Sequence, residues 1–284
     1  MYRIKTVVGG IKIQIGAWGP GDMCEGKSWS LLPIQAQQDV KDHPVLVAKI
    51  RDALKTMKTS EAFAPNVALN SAQIIKNIKL NPVQLGGGFV LHRNKGEPGD
   101  GMFLNEGDIF AMSGAGCPVG LMTGGGFVVA FHFNKDSAVD QGALFGNPTR
   151  KNISVISAVI DGLSERGVRR NEIAASLQLA IPAWAFRRQF NHPMWGGYNK
   201  AFMDFVGRRW PHGIVLQNKN NMLIDLEGLF RDQANEAGVF NVRTENSLEK
   251  YPALTYSYDD KKNPIDQDGQ ELNRRNLLMF KRCS

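Results

Sequence analysis

Cysteine is scarce in this chain: three residues, at positions 24, 117 and 283, with no Cys-x-x-Cys pair. An odd count at such spacing excludes a disulfide framework and a structural zinc finger, and it fits a reducing compartment. Proline is also sparse, with 13 residues in 284, and only 21% of the chain is charged. Those figures exclude a proline-rich scaffold and a polyelectrolyte tail. No apolar run approaches the ~20 residues needed to span a bilayer, and Met1 to Gly10 alternates like a strand where a signal peptide would need an apolar core. These absences predict a soluble, cytoplasmic protein with no membrane partner.

The chain holds enough apolar material for a sizeable core, at 43% hydrophobic, and its 30 glycines predict many tight turns. The expected class is α+β: a single domain over 1–284 with a mixed β-sheet core and flanking helices. Lys and Arg number 34 against 27 Asp and Glu, a net charge of +7. Much of the excess falls in doublets, Arg169-Arg170, Arg187-Arg188, Arg208-Arg209, Arg274-Arg275 and Lys281-Arg282. Such charge suits an anionic ligand such as phosphate. No doublet is interleaved with aromatics, so nucleic acid is not the expected partner.

Residues 1–18 read as strands broken at Gly9-Gly10, with a turn at Gly19-Pro20-Gly21-Asp22. Pro44 and the helical spacing of Val47, Ile50, Leu54 and Met57 predict an amphipathic helix over 44–57. The stretch 58–80 has weaker periodicity and a Lys-rich segment, and is expected to be an insertion on the rim. A second helix is expected from Asn147 as cap to Gly167 as stop, with Ile153, Ile156, Val159, Ile160 and Leu163 as its apolar stripe. Ile173 to Ile181 and Gly213 to Gln217 read as strands, 198–209 as a helix, and Asp225 to Gly238 as a last capped helix.

Two glycine triplets organise the middle of the sequence. Gly86-Gly87-Gly88-Phe89-Val90-Leu91-His92 is echoed by Gly124-Gly125-Gly126-Phe127-Val128-Val129-Ala130-Phe131-His132, so both histidines end a strand that leaves a tight turn. Between them Asp108 to Met112 is a short strand. Ser113-Gly114-Ala115-Gly116-Cys117-Pro118 is a small-residue turn that delivers a thiol, and a strand from Val119 to Met122 follows. Small neighbours let a substrate approach the sulfur, which makes Ser113 and Gly116 candidate substrate-contacting residues.

Cys117 and His132 lie fifteen residues apart on strands joined by a glycine-rich hairpin, so sulfur and imidazole can meet. Two chemistries need such a pair. His132 can take the thiol proton while Cys117 attacks a carbonyl or similar electrophile. Alternatively both bind zinc, which requires a third protein ligand, with His92 the natural candidate, and an open position for water. A cysteine before a strand is also a common small core residue, with no chemistry at all.

The order of these landmarks resembles the laccase-domain family, also called polyphenol oxidase or bacterial purine nucleoside phosphorylase-like proteins. Asp100-Gly101-Met102 resembles its Ala-Asp-Ala/Gly segment, Ser113 to Val119 its Thr-Ala-Asp-Cys-x-Pro-Val motif, and Val128 to His132 its apolar strand ending in histidine. Leu223 to Leu226, Gln233 to Val239, Tyr256-Ser257-Tyr258 and Gly269 to Asn273 follow in the family's order. The resemblance implies a compact domain that cleaves purine nucleosides with phosphate at a zinc held by His, Cys and His.

The sequence departs from that pattern at Gly86, where the first histidine of Gln-x-His-Gly should stand. It departs again at Gly116, in place of an aspartate, and at Lys135-Asp136-Ser137, in place of Trp-Arg-Gly. What remains, Cys117 and His132, is also similar to the cysteine–histidine deamidases of cytotoxic necrotizing factor type, which hydrolyse glutamine amides. Three functions therefore stand open: a purine nucleoside phosphorylase or hydrolase, a thiol-dependent amidohydrolase, and an inactive binding or structural protein with the same fold.

Overall fold

Gly9 and Gly10, at φ 54° and 83°, turn the chain so that β1 (Tyr2–Val8) pairs antiparallel with β2 (Ile11–Trp18), Tyr2 opposite Ala17 and Val8 opposite Ile11. The computed structural model describes residues 1–19, 37–64, 74–75, 80–94, 99–114, 117–148, 152–193, 195–251, 254 and 276–284. In it the hairpin edges a seven-stranded sheet with spatial order β1, β2, β16 (Asn276–Arg282), β8 (Ile109–Gly114), β3 (Glu61–Ala64), β6 (Phe89–Asn94) and β5 (Leu80–Gly86). A six-stranded sheet runs β15 (Asn241–Glu245), β11 (Ala174–Gln178), β9 (Val119–Gly124), β10 (Phe127–His132), β7 (Gly101–Phe103) and β4 (Ile74–Ile75). A small third sheet has the order β12 (Arg187–Gln189), β14 (Asn221–Ile224) and β13 (Ile214–Asn218). Both parallel and antiparallel pairs occur, so the class is α+β with mixed sheets.

Strand alternation sorts the side chains into layers. Ile109, Ala111, Leu277 and Met279 point to one face of the seven-stranded sheet, which α2 (Pro44–Thr56) covers with Leu46, Val47, Ile50 and Leu54. Burying each such leucine or isoleucine contributes about 1.5–3 kcal/mol. Phe110, Met112, Leu278 and Phe280 point the other way and join Val119, Leu121, Val128 and Ala130 of the six-stranded sheet in the main core. The far face of that second sheet carries α5 (Val155–Ser164) and α7 (Leu226–Glu236), with the Phe131 ring 6.3 Å from Phe230. Phe131 fits only because its β9 neighbour is Gly120: a Cβ there would stand 2.2 Å from the ring. Four further helices complete the described part: α1 (Asp39–Asp42), α3 (Lys135–Ala138), α4 (Gln141–Leu144) and α6 (Gly196–Arg209). Among the described residues, no helix is long and apolar enough to cross a membrane.

Two sequence expectations need correction. The stretch 58–80 is not wholly a rim insertion, because Glu61–Ala64 is an interior strand with Ala62 and Ala64 buried under α2. Much of its remainder, 65–73 and 76–79, lies outside the described residues. The second expected helix starts at Val155 and not near Pro148, because Ser154 takes the cap: its hydroxyl accepts from the Ser157 N–H while the Ser157 hydroxyl serves the Ser154 backbone. Pro20-Gly21-Asp22, Tyr256-Ser257-Tyr258 and Gly269 to Asn273 lie outside the described residues.

Candidate active site

Cys117 leads into β9, and Val119 at the start of that strand stands opposite His132 at the end of β10. On the other side of β10, Phe131 pairs with Gly101, and the His132 backbone N–H donates to the Asp100 carbonyl at 2.6 Å. His132 thus sits between the strand that follows Cys117 and the strand that follows Asp100. Residues opposite one another in a sheet share a face, so Val119, His132 and Asp100 all project into the space between the two large sheets. That space is where sulfur, imidazole and carboxylate converge.

The imidazole is 3% exposed and Asp100 is fully buried. His132 Nδ1 lies 3.9 Å from Asp100 Oδ1, too long for an ordinary hydrogen bond and close for a charge interaction. Burial opposes protonation of the ring, but the charge of Cys117 and the contacts with Asp100 and Cys117 outweigh it and raise the His132 pKa to about 9. Neither ring nitrogen has a hydrogen bond of normal geometry. Catalytic hydrogen bonds are often loose in a ligand-free site and tighten around substrate. Cys117 is half-buried at the edge of the main core.

The other candidate residues sit elsewhere or beyond description. His92 lies on β6 of the other sheet, where its Nε2 is 2.8 Å from Glu61 Oε2 and its ring stacks on Phe63 at 4.8 Å. Ser113 is in β8 opposite Leu277, and Gly116 lies outside the described residues. The basic doublets disperse: Arg169 pairs with Glu172, Arg209 with Glu236, and Arg208 donates to the Asp204 carbonyl. A surface cavity of about 520 Å³, lined by Met203, Asp204, Gly207, Arg208, Pro211 and Ile214, shares no residue with the Cys117–His132 pair. Asp100 was visible in the sequence only as a strand entry, since a three-residue strand gives no periodicity from which to read its register.

No known family model and no curated protein sequence matches the chain. Solved structures do. A Neisseria meningitidis protein of family DUF152 superposes with a TM-score of 0.58 at 17% identity, covering 99% of each chain. The hypothetical protein YfiH of Bacillus licheniformis gives 0.57 at 13% identity, over 95% of this chain and 92% of that one. YlmD from Geobacillus stearothermophilus gives 0.57 at 15% identity, over 96% and 92%. The chain has the DUF152, or laccase-domain, fold.

Within the laccase-domain fold, the zinc site that the resemblance implies does not fit these residues. Gly86, at φ 84° in the β5–β6 turn, brings no ligand, and His92 is engaged by Glu61. Among the described residues, no group of three or more His, Cys, Asp or Glu is arranged to hold a metal ion. The departure from Trp-Arg-Gly has a structural counterpart too. Lys135 is buried with its Nζ 3.7 Å from the centre of the Tyr198 ring, a cation–π contact at the position of the motif's tryptophan.

Proposed function

We propose that this laccase-domain chain is a thiol-dependent hydrolase that cleaves a carbonyl–nitrogen bond in a small molecule. One observation carries the reading: a buried histidine, raised to about 9, stands between Cys117 and Asp100. At neutral pH such a histidine is an imidazolium, and the group it stabilises is the Cys117 thiolate. With Nδ1 turned to Asp100, Nε2 is the nitrogen left to exchange protons at the sulfur.

The thiolate attacks the substrate carbonyl carbon and forms a C–S bond. His132 then gives its proton to the leaving nitrogen as the C–N bond breaks, which leaves an acyl-thioester and a neutral imidazole. The imidazole takes a proton from water, the resulting hydroxide attacks the thioester, and the thiolate leaves. Asp100 acts as a positioning residue that holds the ring and stabilises its charge.

Release of ammonia from glutamine-type amides, followed in excess chelator, tests the reading. Activity should persist with chelator and vanish with Cys117→Ala or with thiol alkylation. A second reading, cleavage of purine nucleosides, is supported by the shared fold, and adenosine or inosine with phosphate is its assay. If Cys117→Ala leaves every activity and every ligand affinity unchanged, both readings fail and a folded binder remains.

A further inference from the structure

The third sheet leaves one strand edge open. β13 stands at the end of that sheet, and among the described residues β14 is its one strand neighbour. The Asp225 N–H donates to the Gly213 carbonyl at 3.0 Å, while the Ile224 N–H turns the other way, to the Phe186 carbonyl at 3.0 Å. Bonded and non-bonded pairs alternate in an antiparallel ladder, so Ile214, opposite Ile224, points its own N–H and C=O away from β14. Neither group has a partner among the described residues. Beside that edge lies the surface cavity of about 520 Å³. α6 supplies its opposite wall, and the 3-10 turn Pro211–Gly213 joins helix to strand at its head.

The Arg208-Arg209 doublet divides here. Arg209 is bound to Glu236 at 3.0 Å and lies over the Trp210 ring at 5.1 Å. Arg208 donates through Nε to the Asp204 carbonyl at 2.7 Å, which orients the guanidinium, and its two terminal nitrogens have no partner among the described residues. Asp204 stands one turn back on the same helix face, about 6 Å along the axis, yet its carboxylate makes no ion pair with Arg208. The helix thus offers a cation near the turn and an anion farther out. Between them Gly207 is bare: a Cβ there would meet no described atom within 4 Å. Glycine weakens a helix relative to alanine, and no packing among the described residues calls for it here. Its absence of side chain leaves room for another main chain between α6 and β13. Met203 and Ile214, half-buried against the main core, line the cavity with apolar surface.

We infer that this cavity docks the extended carboxy-terminal tail of a partner protein, one that ends in an apolar residue. The terminal carboxylate meets the free fork of Arg208, whose geometry suits a planar anion, and also the Ile214 N–H. The tail runs antiparallel to β13, so the N–H of its last residue donates to the Ile214 carbonyl while its apolar side chain rests on Met203 and Ile214. Asp204 faces a basic side chain upstream. Strand edges are ordinarily blunted, and the irregularity in β13 falls beyond Leu216, which leaves the edge at Ile214 regular. A volume near 520 Å³ falls in the range of about 300–1,000 Å³ that ligand pockets occupy. The site shares no residue with the Cys117–His132 pair, so its fate is independent of the thiol chemistry.

The probe is a fluorescein-labelled hexapeptide, Gly-Ser-Lys-Thr-Val-Leu, titrated with the full chain and followed by anisotropy. Two controls are its C-terminal amide and a form N-methylated at the last leucine. The free carboxylate should bind at least about tenfold more tightly than either control. Arg208→Gln should erase the gap between carboxylate and amide. Gly207→Leu should melt no lower than the wild type and bind at least about tenfold more weakly, an effect that stability does not explain. Exchanging the peptide's lysine for glutamate should weaken binding to the wild type and not to Asp204→Asn. Equal binding of carboxylate and amide, a gap retained in Arg208→Gln, full-strength binding to Gly207→Leu, or no saturable binding up to about 1 mM overturns the inference. So does N-methylation without effect, which would leave Arg208 an anion site with no strand docking. A dimer of the chain that excess peptide fails to dissociate would assign the edge to a second copy and overturn it as well.

Discussion

Asp100 and His132 are joined twice: the His132 backbone N–H donates to the Asp100 carbonyl at 2.6 Å, and their side chains face each other with Nδ1 3.9 Å from Oδ1. The backbone bond fixes the register that makes the side-chain approach possible. Replacing the carboxylate with an amide keeps the first link and removes the charge of the second. Asp100→Asn should lower the His132 pKa yet leave it above its ordinary value, because the charge of Cys117 is the larger of the raising causes. Imidazole titration by NMR and alkylation rate against pH check this. A pKa still at its wild-type value would remove Asp100 from the site.

The raised His132 pKa has a consequence for stability. The folded pKa of about 9 exceeds the ordinary 6.5, so the native state holds a proton that the unfolded chain releases first. The stabilisation is complete below about pH 6.5 and is lost as pH rises through 9. A native Cys117 thiolate offsets it over most of that window, because the unfolded thiol keeps its own proton up to about pH 8.5, so the net loss falls between about pH 8.5 and 9.5. Urea unfolding at pH 8 and pH 10 should show the fall, and His132→Gln should remove it.

Where local signals are dense, sequence and structure agree. The hairpins at Gly9-Gly10, Gly86 to Gly88 and Gly125-Gly126 follow from glycine at positive φ between alternating strands. Asp225 caps α7 through the N–H groups of Glu227 and Gly228, and Gly238 follows at φ 81°. Cys117 and His132 are neighbours in the fold because one hairpin joins β9, which follows Cys117, to β10, which ends at His132. Asp100 was not legible in the sequence, since its register comes from pairing between β7 and β10 across intervening strands. Nor was β16, which pairs with β2 and β8 across most of the chain. His92 misled because the repeat places it like His132, whereas the two hairpins enter different sheets.

The two serines at the start of α5 offer a direct check of local reasoning. Ser154→Ala removes a cap and half of a reciprocal pair, so it should cost about 1 kcal/mol. Asn147, eight residues before Val155, lies in the turn after α4, and Asn147→Ala should leave α5 untouched. Thermal melts of the two variants separate these outcomes.

Leu179 sets backbone strain against packing at one residue. Its φ of 60° disfavours any side chain, by about 1–2 kcal/mol, yet its own side chain is fully buried in the main core. Truncating a buried leucine to alanine costs about 2–5 kcal/mol, so packing outweighs strain and leucine persists. Both Leu179→Ala and Leu179→Gly should therefore destabilise. Their order is the informative part. Alanine keeps a Cβ and its strain, whereas glycine sheds both, so glycine should be the more stable of the two by about 1 kcal/mol, the reverse of the usual ranking. Denaturant midpoints for the pair decide it, and alanine above glycine would mean that the left-handed turn at the end of β11 carries no strain.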